Sequence, residues 1–353
     1  MCSLPVISAG PNPSFCLFLL LVCLLSIKNT TSETYVTKKT IRLDTGSATE
    51  NFSENEKFKD MFELTEDNFE EMVLDTEDPW IVLFTGGMLQ KEWKTLAVSL
   101  RGVVWFGILN RLEQEDLLEE IDFNVRKNPP ARVYPYGGTK QKGKWVDVQS
   151  PKEAERIAVN SLPDISETID LKEMNQFIYD SYLMLPPCLP AVFVIENEMP
   201  ARFKSIALHY NRYFHFGVVR NPTSVDLENL SYDLAIPGLL ALVSEDYEDD
   251  GDTEEAWREG DYKFQSIGFS AERQGELNYP NLVRFLYSIN IQFRHTLPGN
   301  NMADDKDVLT MDDVMEVEGQ RFNVRYMEEL RNIKGSEIVS RKDVKQHAEK
   351  SEL

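Results

Sequence analysis

Residues 80–100, WIVLFTGGMLQKEWKTLAVSL, indicate a buried strand that passes through a short turn into an amphipathic helix. The apolar run 80–84 has the length of a strand and the composition of one that is covered on both faces. Gly86 and Gly87 interrupt this run. From Met88 onward, apolar residues recur at spacings of three and four, which places them on one helix face: Leu89, Trp93, Leu96, Ala97 and Leu100.

The composition indicates a globular and strongly acidic protein. The chain has 353 residues, of which 42% are hydrophobic, and this suffices for two packed domains with extensions. Its formal net charge of −22 argues against binding to nucleic acid or to an anionic membrane surface, because both require clustered Lys and Arg. The local group Lys140, Lys142 and Lys144 is too small to reverse this conclusion.

Residues 1–32 are predicted to contain a signal peptide. The apolar run 15–25 has the length of a signal-peptide core and is well short of the ~20 residues that a membrane-spanning helix needs. We therefore expect no membrane span after cleavage. An uncleaved N-terminal anchor is the alternative, because no Lys or Arg precedes the run and no clear small-x-small cleavage site follows it. In either case the chain is expected to enter the secretory pathway.

Three Asn-x-Ser/Thr sequons fit this compartment and predict glycosylation, at Asn29, Asn51 and Asn229. Asn51 is the best candidate of the three. It lies within residues 33–60, a polar stretch without periodicity that is typical of a solvated linker.

The cysteines leave one thiol in the mature chain. Cys2, Cys16 and Cys23 lie in the targeting segment, so Cys188 has no partner for an intramolecular disulfide after cleavage. It stands between Pro187 and an apolar strand, where a small buried residue is expected. The alternative is a thiol that forms mixed disulfides, but no cationic neighbour in the sequence would lower its pKa.

Residues 61–161 show the pattern of an α/β domain. Strands are predicted at 61–64, 80–84, 103–109, 131–134 and 144–148, and helices follow Thr65, begin at Met88, span 112–121 and follow Ser150. Thr65 and Ser150 are typical N-cap residues, and Pro151 is suited to the first helical position. Gly137 and Gly138 favour a hairpin between the last two strands. The order is β-α-β-α-β-α-β-β-α.

This order resembles the thioredoxin fold, and the local sequence resembles the protein disulfide isomerase family over residues 60–160. The matching segments are Phe62-Glu63-Leu64-Thr65, Asn68-Phe69, Val82-Leu83-Phe84, Glu92-Trp93 and the segment from Pro130 that ends in Tyr134-Pro135-Tyr136-Gly137. The resemblance implies that a cis peptide bond precedes Pro130 and that this loop contacts bound peptide beside the start of the second helix.

The chain departs from the family at its redox motif. Family members carry Cys-x-x-Cys at the start of the second helix, where the helix dipole and backbone N–H groups favour a thiolate. Here the segment between Phe84 and Trp93 is several residues shorter than in the family and contains no cysteine. The resemblance thus implies that the dithiol was deleted with its loop. The remnant of the peptide-binding surface would consist of Gly86, Gly87, Met88 and Pro130.

Residues 162–296 repeat the same pattern. Strands are predicted at 189–195, 214–219, 238–243 and 262–267, with helices at 171–182, from Pro200 and from Pro280. Pro237 directly precedes an apolar strand and resembles the family's cis-proline, which makes it a further candidate for peptide binding. The predicted fold class is α/β, with two tandem thioredoxin-like domains that each contain a central mixed sheet flanked by helices.

Residues 244–260 form an acidic insert in the second domain, typical of a solvated loop. Weak calcium binding is the alternative, because Asp246, Glu248, Asp250 and Gly251 partly resemble an EF-hand loop. Trp257 stands at the twelfth position, where a bidentate glutamate is needed.

Residues 297–353 form a tail with charges of both signs, in which a helix over 312–330 has no clear apolar face. The chain ends in Lys350-Ser351-Glu352-Leu353, which resembles the Lys-Asp-Glu-Leu retrieval signal. We therefore predict residence in the endoplasmic reticulum lumen, with secretion or N-terminal anchoring as alternatives.

The remaining residues indicate neither catalytic groups nor a cofactor. The histidines His209, His215, His295 and His347 are too scattered for a metal site, and aromatic packing at a helix end explains the first two. The leading hypothesis is a redox-inactive relative of the disulfide isomerases that binds unfolded or partner polypeptides. The alternatives are a thiol oxidoreductase that uses Cys188 and a structural spacer in a secretory-pathway assembly.

Overall fold

The computed structural model of the chain describes residues 36–37, 58–137, 145–226, 234–244, 264–297 and 309–333. The strand β1 (Val36–Thr37) precedes the first domain. The first domain contains β2 (Phe62–Leu64), α1 (Glu66–Phe69) with a π-helical continuation (Glu70–Leu74), β3 (Trp80–Thr85), α2 (Lys91–Ser99), β4 (Trp105–Asn110), α3 (Glu115–Glu120), β5 (Ala131–Tyr134), β6 (Val146–Val148) and α4 (Pro151–Ser161).

The strands of the first domain form one mixed sheet in the order β2-β4-β3-β5-β6. Strands β2 and β3 run parallel to β4, whereas β5 and β6 form the predicted antiparallel hairpin. All six residues of β3 are buried because helices cover both faces of the sheet. Alternate side chains point to opposite faces, so Ile81 packs with α2 and α4, and Val82 packs with α1 and α3.

The second domain contains β7 (Glu167–Thr168), a 3-10 turn (Leu171–Glu173), α5 (Met174–Leu183), β8 (Leu189–Ile195), α6 (Ala201–Tyr210), β9 (Phe214–Arg220), β10 (Gly238–Ser244), β11 (Phe264–Gly268), α7 (Ala271–Gln274) and α8 (Tyr279–Phe293). Its sheet has the order β1-β11-β10-β8-β9-β7. Apart from the added edge strand β1, this order and its parallel and antiparallel pairs repeat those of the first sheet. The prediction of two tandem thioredoxin-like domains is confirmed.

Two segments outside the sheets contribute to the second core. Phe58, which lies in the predicted linker, packs its ring against Phe322 and Tyr326 at centroid distances of 5.5 and 5.1 Å. The tail contains α9 (Met311–Glu318) and α10 (Val324–Arg331). The expectation that this tail lacks an apolar face was wrong, because Tyr326, Met327 and Leu330 are buried at helical spacing.

The predicted cis bond before Pro130 is a second correction. Among the described residues, the cis peptide bonds precede Pro186 and Pro237. The Pro129–Pro130 bond is therefore trans, and the Pro130 carbonyl accepts a hydrogen bond from the Phe84 N–H at 2.9 Å. Pro130 thus continues the ladder between β3 and β5. The resemblance of Pro237 to the cis-proline position is confirmed.

Several predictions concern residues outside the described ranges. They are the signal peptide, the sequons at Asn29, Asn51 and Asn229, the acidic insert beyond Ser244, and the terminal residues 350–353. In the described ranges, none of the helices has both the length and the apolar content needed to cross a bilayer.

Candidate functional site

The turn after β3 lies where the disulfide isomerases, which the sequence resembles, carry their dithiol. Thr85 closes this turn, because its Oγ1 accepts a hydrogen bond from the Gly87 N–H at 3.0 Å. Gly87 has a φ of 130°, a conformation that residues with a side chain rarely adopt. Helix α2 begins at Lys91 with Gln90 as its N-cap, three residues later than predicted.

Met88 and Leu89 lie in different environments in this turn. Leu89 is half-buried and packs against the core between the sheet, α2 and α4. Met88 is 95% exposed and makes no contribution to the core. A flexible, polarizable thioether at this place can adapt to varied apolar partners.

Two further large apolar side chains lie at the same edge of the first sheet. Leu112 follows β4 and is 74% exposed, and Val125 lies in the loop before β5 and is 77% exposed. Parallel β3 and β4 end at one edge, and β5 begins there because Ala131 pairs with Leu83. We call Met88, Leu112 and Val125 the edge surface. Isolated exposed apolar residues are common, but three at one strand edge form a candidate contact surface.

The neighbouring backbone is fixed by hydrogen bonds. The Arg111 N–H donates to the Thr85 carbonyl at 2.9 Å, and the Arg111 guanidinium donates to the Asn128 side chain. Pro129 and Pro130 have no N–H groups, and the Pro130 carbonyl is engaged by Phe84. Few backbone N–H and C=O groups of these residues are therefore free to pair with an extended peptide, which is the interaction that the family resemblance implied.

The structure brings Gly86, Gly87, Met88 and Pro130 together at this edge, whereas Pro237 belongs to the second sheet. Pro237 is exposed. The strand end beside it is polar, since β8 is followed by the exposed residues Glu196, Asn197 and Glu198. Arg220 donates to the Asn197 carbonyl at 3.0 Å and pairs with Asp164 at 3.2 Å. The corresponding edge of the second domain therefore carries charged side chains, and the hydrogen bond and ion pair of Arg220 hold it in place.

Cys188 lies just before β8, at the opposite end of that strand. Its side chain is 2% exposed, and its Sγ lies 3.6 Å from the Pro186 carbonyl and 3.5 Å from the Arg212 carbonyl. The prediction of a small buried residue is confirmed.

A buried polar cluster joins the two domains and the tail. His209 Nε2 lies 2.8 Å from Asp78 Oδ1, and His209 Nδ1 lies 2.7 Å from the Tyr279 hydroxyl. Tyr279 donates to Glu318 at 2.8 Å, and Arg321 donates to Asp78 at 3.1 Å. We call these five residues the junction cluster. Aromatic packing alone does not explain His209, which is a correction to the sequence-based interpretation.

The electrostatics of the junction cluster depend on its burial. Burial raises the pKa of Asp78, but the charge and hydrogen bond of His209, the charge of Arg321 and the hydrogen bond from Trp105 outweigh this effect and hold the pKa well below its usual range. Burial and the neighbouring Glu318 raise the pKa of Tyr279 well above its usual value. Arg321 also stacks on Trp105 at 3.7 Å. The cluster is suited to holding the domains together, and within the described residues no group of three His, Cys, Asp or Glu side chains is arranged for a metal ion.

The sequence is similar to known proteins over part of its length. No family model matches the chain. A protein disulfide-isomerase A6 homolog of Drosophila melanogaster is 36% identical over 84 residues, which are 22% of this chain and 19% of the relative. Over this segment the chain is similar in sequence to a disulfide isomerase, and its two sheets have the thioredoxin-like strand order.

Two further comparisons describe the extent of the similarity. DnaJ homolog subfamily C member 10 of Xenopus laevis is 30% identical over 116 residues, which are 30% of this chain and 14% of the relative. The crystal structure of full-length ERdj5 is 14% identical with a TM-score of 0.38, and the match covers 64% of this chain and 33% of that one. The chain thus spans less than a fifth of the length of the two curated relatives.

Proposed function

We propose that this protein is a redox-inactive relative of the disulfide isomerases that binds unfolded or partner polypeptides in the lumen of the endoplasmic reticulum. The observation that carries the proposal is the exposed Met88 at the strand end where the family places its dithiol. Leu112, which follows β4, and Val125, which precedes β5, add two exposed apolar side chains at the same end of the sheet. An unfolded chain offers apolar side chains that such a surface can cover.

The sequence supports the redox-inactive part of the proposal. Between Cys23 and Cys188 the chain has no cysteine, and Cys188 has no second thiol in the mature chain to resolve a mixed disulfide. The burial of Cys188 supports a packing role in preference to the alternative thiol oxidoreductase. The proposed compartment rests on the apolar run 15–25 and on Lys350-Ser351-Glu352-Leu353, which resembles a retrieval signal.

The test is capture of a permanently unfolded polypeptide, such as reduced and alkylated lactalbumin, by the purified chain. Met88→Asp should weaken binding about tenfold, because a buried methionine contributes about 1.5–3 kcal/mol and 1.4 kcal/mol corresponds to tenfold. Val98→Asp is the matched control, since Val98 is an exposed residue of α2 outside the edge surface. Equal binding by both variants and the wild type would contradict the proposed site.

A further inference from the structure

Two of the three segments that form the edge surface also carry cationic side chains. Arg111 directly precedes Leu112, and Arg126 and Lys127 directly follow Val125. Arg126 and Lys127 are exposed, and Arg111 is half-buried. We call these three cations the cationic border. The whole chain has 59 acidic and 37 basic residues, so the edge surface is bordered by positive charge in a strongly acidic protein.

Few acidic side chains accompany the cationic border. Glu113 follows the border's first segment and is exposed, whereas residues 123–130 contain no Asp or Glu. Helix α2 begins with Lys91 and Glu92, whose charges are opposite. Asp122 lies at a recess between α1 and α3. The positive charges at this edge therefore outnumber the negative ones.

The cationic border has no internal counter-charge in the part of the chain that the structure describes. Its three side chains form no ion pair with a described carboxylate. Arginines elsewhere are paired, as Arg220 is with Asp164 at 3.2 Å and Arg284 is with Glu329 at 2.8 Å. A carboxylate of a bound partner can therefore pair with the border without displacing one of these internal partners.

The Arg111 guanidinium connects the segments of the edge surface. It donates a hydrogen bond to the Asn128 side chain, and a Cβ atom added at Gly86 would lie 3.9 Å from Arg111 Nη2. The guanidinium thus lies between the turn that carries Met88 and the loop that carries Val125. A positive charge at this place adjoins both apolar side chains.

The other two cations lie in a loop that is closed by its own hydrogen bonds. Asn124 Oδ1 accepts hydrogen bonds from the Arg126 N–H at 3.1 Å and from the Lys127 N–H at 3.0 Å. The Asn128 N–H donates to the Asn124 carbonyl at 2.9 Å. The backbone of both cations is therefore held, and their side chains project from a defined loop.

We propose that the edge surface binds an acidic segment of a client polypeptide, an inference that rests on the function proposed above. Apolar side chains of the segment cover Met88, Leu112 and Val125, and neighbouring Asp or Glu side chains pair with the cationic border. The net charge of −22 does not prevent this, because charges farther away than about 8 Å are largely screened at physiological salt. Local complementarity of this kind selects among partners, so acidic clients are favoured over basic ones.

The test measures the fluorescence anisotropy of three labelled, blocked peptides with the full chain. The glutamate peptide is Gly-Glu-Leu-Glu-Leu-Glu-Gly, and the glutamine and lysine peptides replace each glutamate by that residue. At about 0.15 M salt the glutamate peptide should bind about tenfold more tightly than the lysine peptide, with the glutamine peptide between them. The difference should shrink to within about twofold at about 1 M salt.

Removal of two border charges should abolish most of this selection. Arg126→Gln combined with Lys127→Gln should weaken binding of the glutamate peptide about fivefold and change binding of the glutamine peptide by less than about twofold. Lys172→Gln combined with Arg331→Gln is the matched control, because it removes the same charge from exposed positions outside the first domain. This control should bind all three peptides within about twofold of the wild type.

The results distinguish failure of this inference from failure of the proposed function. If the three peptides bind equally and Met88→Asp weakens all of them, the edge surface binds polypeptides without charge selection. That result overturns this inference and leaves the proposed function intact. Equal weakening by the two cation pairs overturns the inference in the same way. If no peptide binds, or if Met88→Asp changes none of them, both are overturned.

One outcome would reveal a different occupant. The glutamate peptide could bind only after the acidic insert is neutralised by Asp249→Asn, Asp250→Asn, Glu254→Gln and Glu255→Gln. In that case the edge surface is occupied by the chain's own insert, whose charge the cationic border also favours. That result overturns the proposal of an acidic client.

Discussion

Asp78 of the first domain pairs with His209 of the second, with 2.8 Å between Asp78 Oδ1 and His209 Nε2. The second oxygen of Asp78 accepts hydrogen bonds from Trp105 Nε1 at 2.7 Å and from Arg321 at 3.1 Å. One carboxylate therefore connects both domains and the tail. Because the carboxylate is largely buried, little water reaches it, and its charge is stabilised mainly by protein groups such as these.

The first prediction is that Asp78→Asn lowers the free energy of unfolding by about 2 kcal/mol at pH 7, because it replaces a charged, largely buried acceptor of hydrogen bonds from His209, Trp105 and Arg321 by a neutral amide. Denaturant unfolding of both proteins measures the difference. Asp75→Asn is the matched control, since Asp75 is exposed in the same connection and should change stability by less than about 0.5 kcal/mol.

The pH dependence of this difference has a defined sign. The pKa of Asp78 is lower in the folded chain than in the unfolded chain, where a carboxyl titrates near ~3.9. The stabilisation is therefore fully present above that pH and is lost as the pH falls through the folded pKa. The difference between wild type and Asp78→Asn should shrink as the pH falls below about 4. A difference that grows as the pH falls below about 4 would contradict this assignment.

A second prediction concerns redox chemistry. The wild type should not reduce insulin disulfides, and Gly87→Cys with Gln90→Cys should remain nearly inactive despite the restored motif. The backbone at Gly87 has a φ of 130°, which disfavours a side chain, and this position precedes the first residue of α2, Lys91, by four residues. A thiol there lies outside the helix N-terminus that lowers thiol pKa values.

The insulin turbidity assay provides the measurement, with a disulfide isomerase as the positive control. Wild-type turnover that disappears in Cys188→Ala would contradict the redox-inactive proposal and favour the alternative oxidoreductase. Strong turnover by the double cysteine variant would instead contradict the explanation based on turn geometry.

Localisation yields a third prediction. Deletion of residues 350–353 should move the protein from the cell lysate to the medium, because a retrieval receptor can no longer bind the chain terminus. Deletion of residues 346–349, which keeps the last four residues, is the matched control. Retention of both variants in the lysate would contradict a working retrieval signal.

The sequence predicted most of the fold because the central strands are unusually apolar. In β3, β8 and β10 every residue is buried, and continuous apolar runs of this length are informative without an alignment. The helix start at Ser150 was also predictable, since its Oγ accepts a hydrogen bond from the Glu153 N–H as a capping residue should. The strands β1 and β7 have two residues each and carry no such pattern.

The junction cluster was not predictable because its members are distant in the sequence. His209 and Asp78 are 131 residues apart, and Arg321 and Asp78 are 243 residues apart. Isolated polar residues of this kind resemble ordinary surface residues until the fold brings them together. Leu112 was missed because the sequence pattern assigned it to a helix over 112–121, whereas α3 begins at Glu115. Val125 was missed because a single apolar residue in a polar loop has no periodic signal.

The most direct test of the central proposal is site-specific photocrosslinking to an unfolded polypeptide. A photoreactive phenylalanine analogue is placed at position 88, at position 112 or, as the control, at position 98. We expect the client to crosslink strongly from positions 88 and 112 and weakly from position 98, because only the first two belong to the edge surface. Equal crosslinking from all three positions, or none from position 88, would contradict polypeptide binding at this edge.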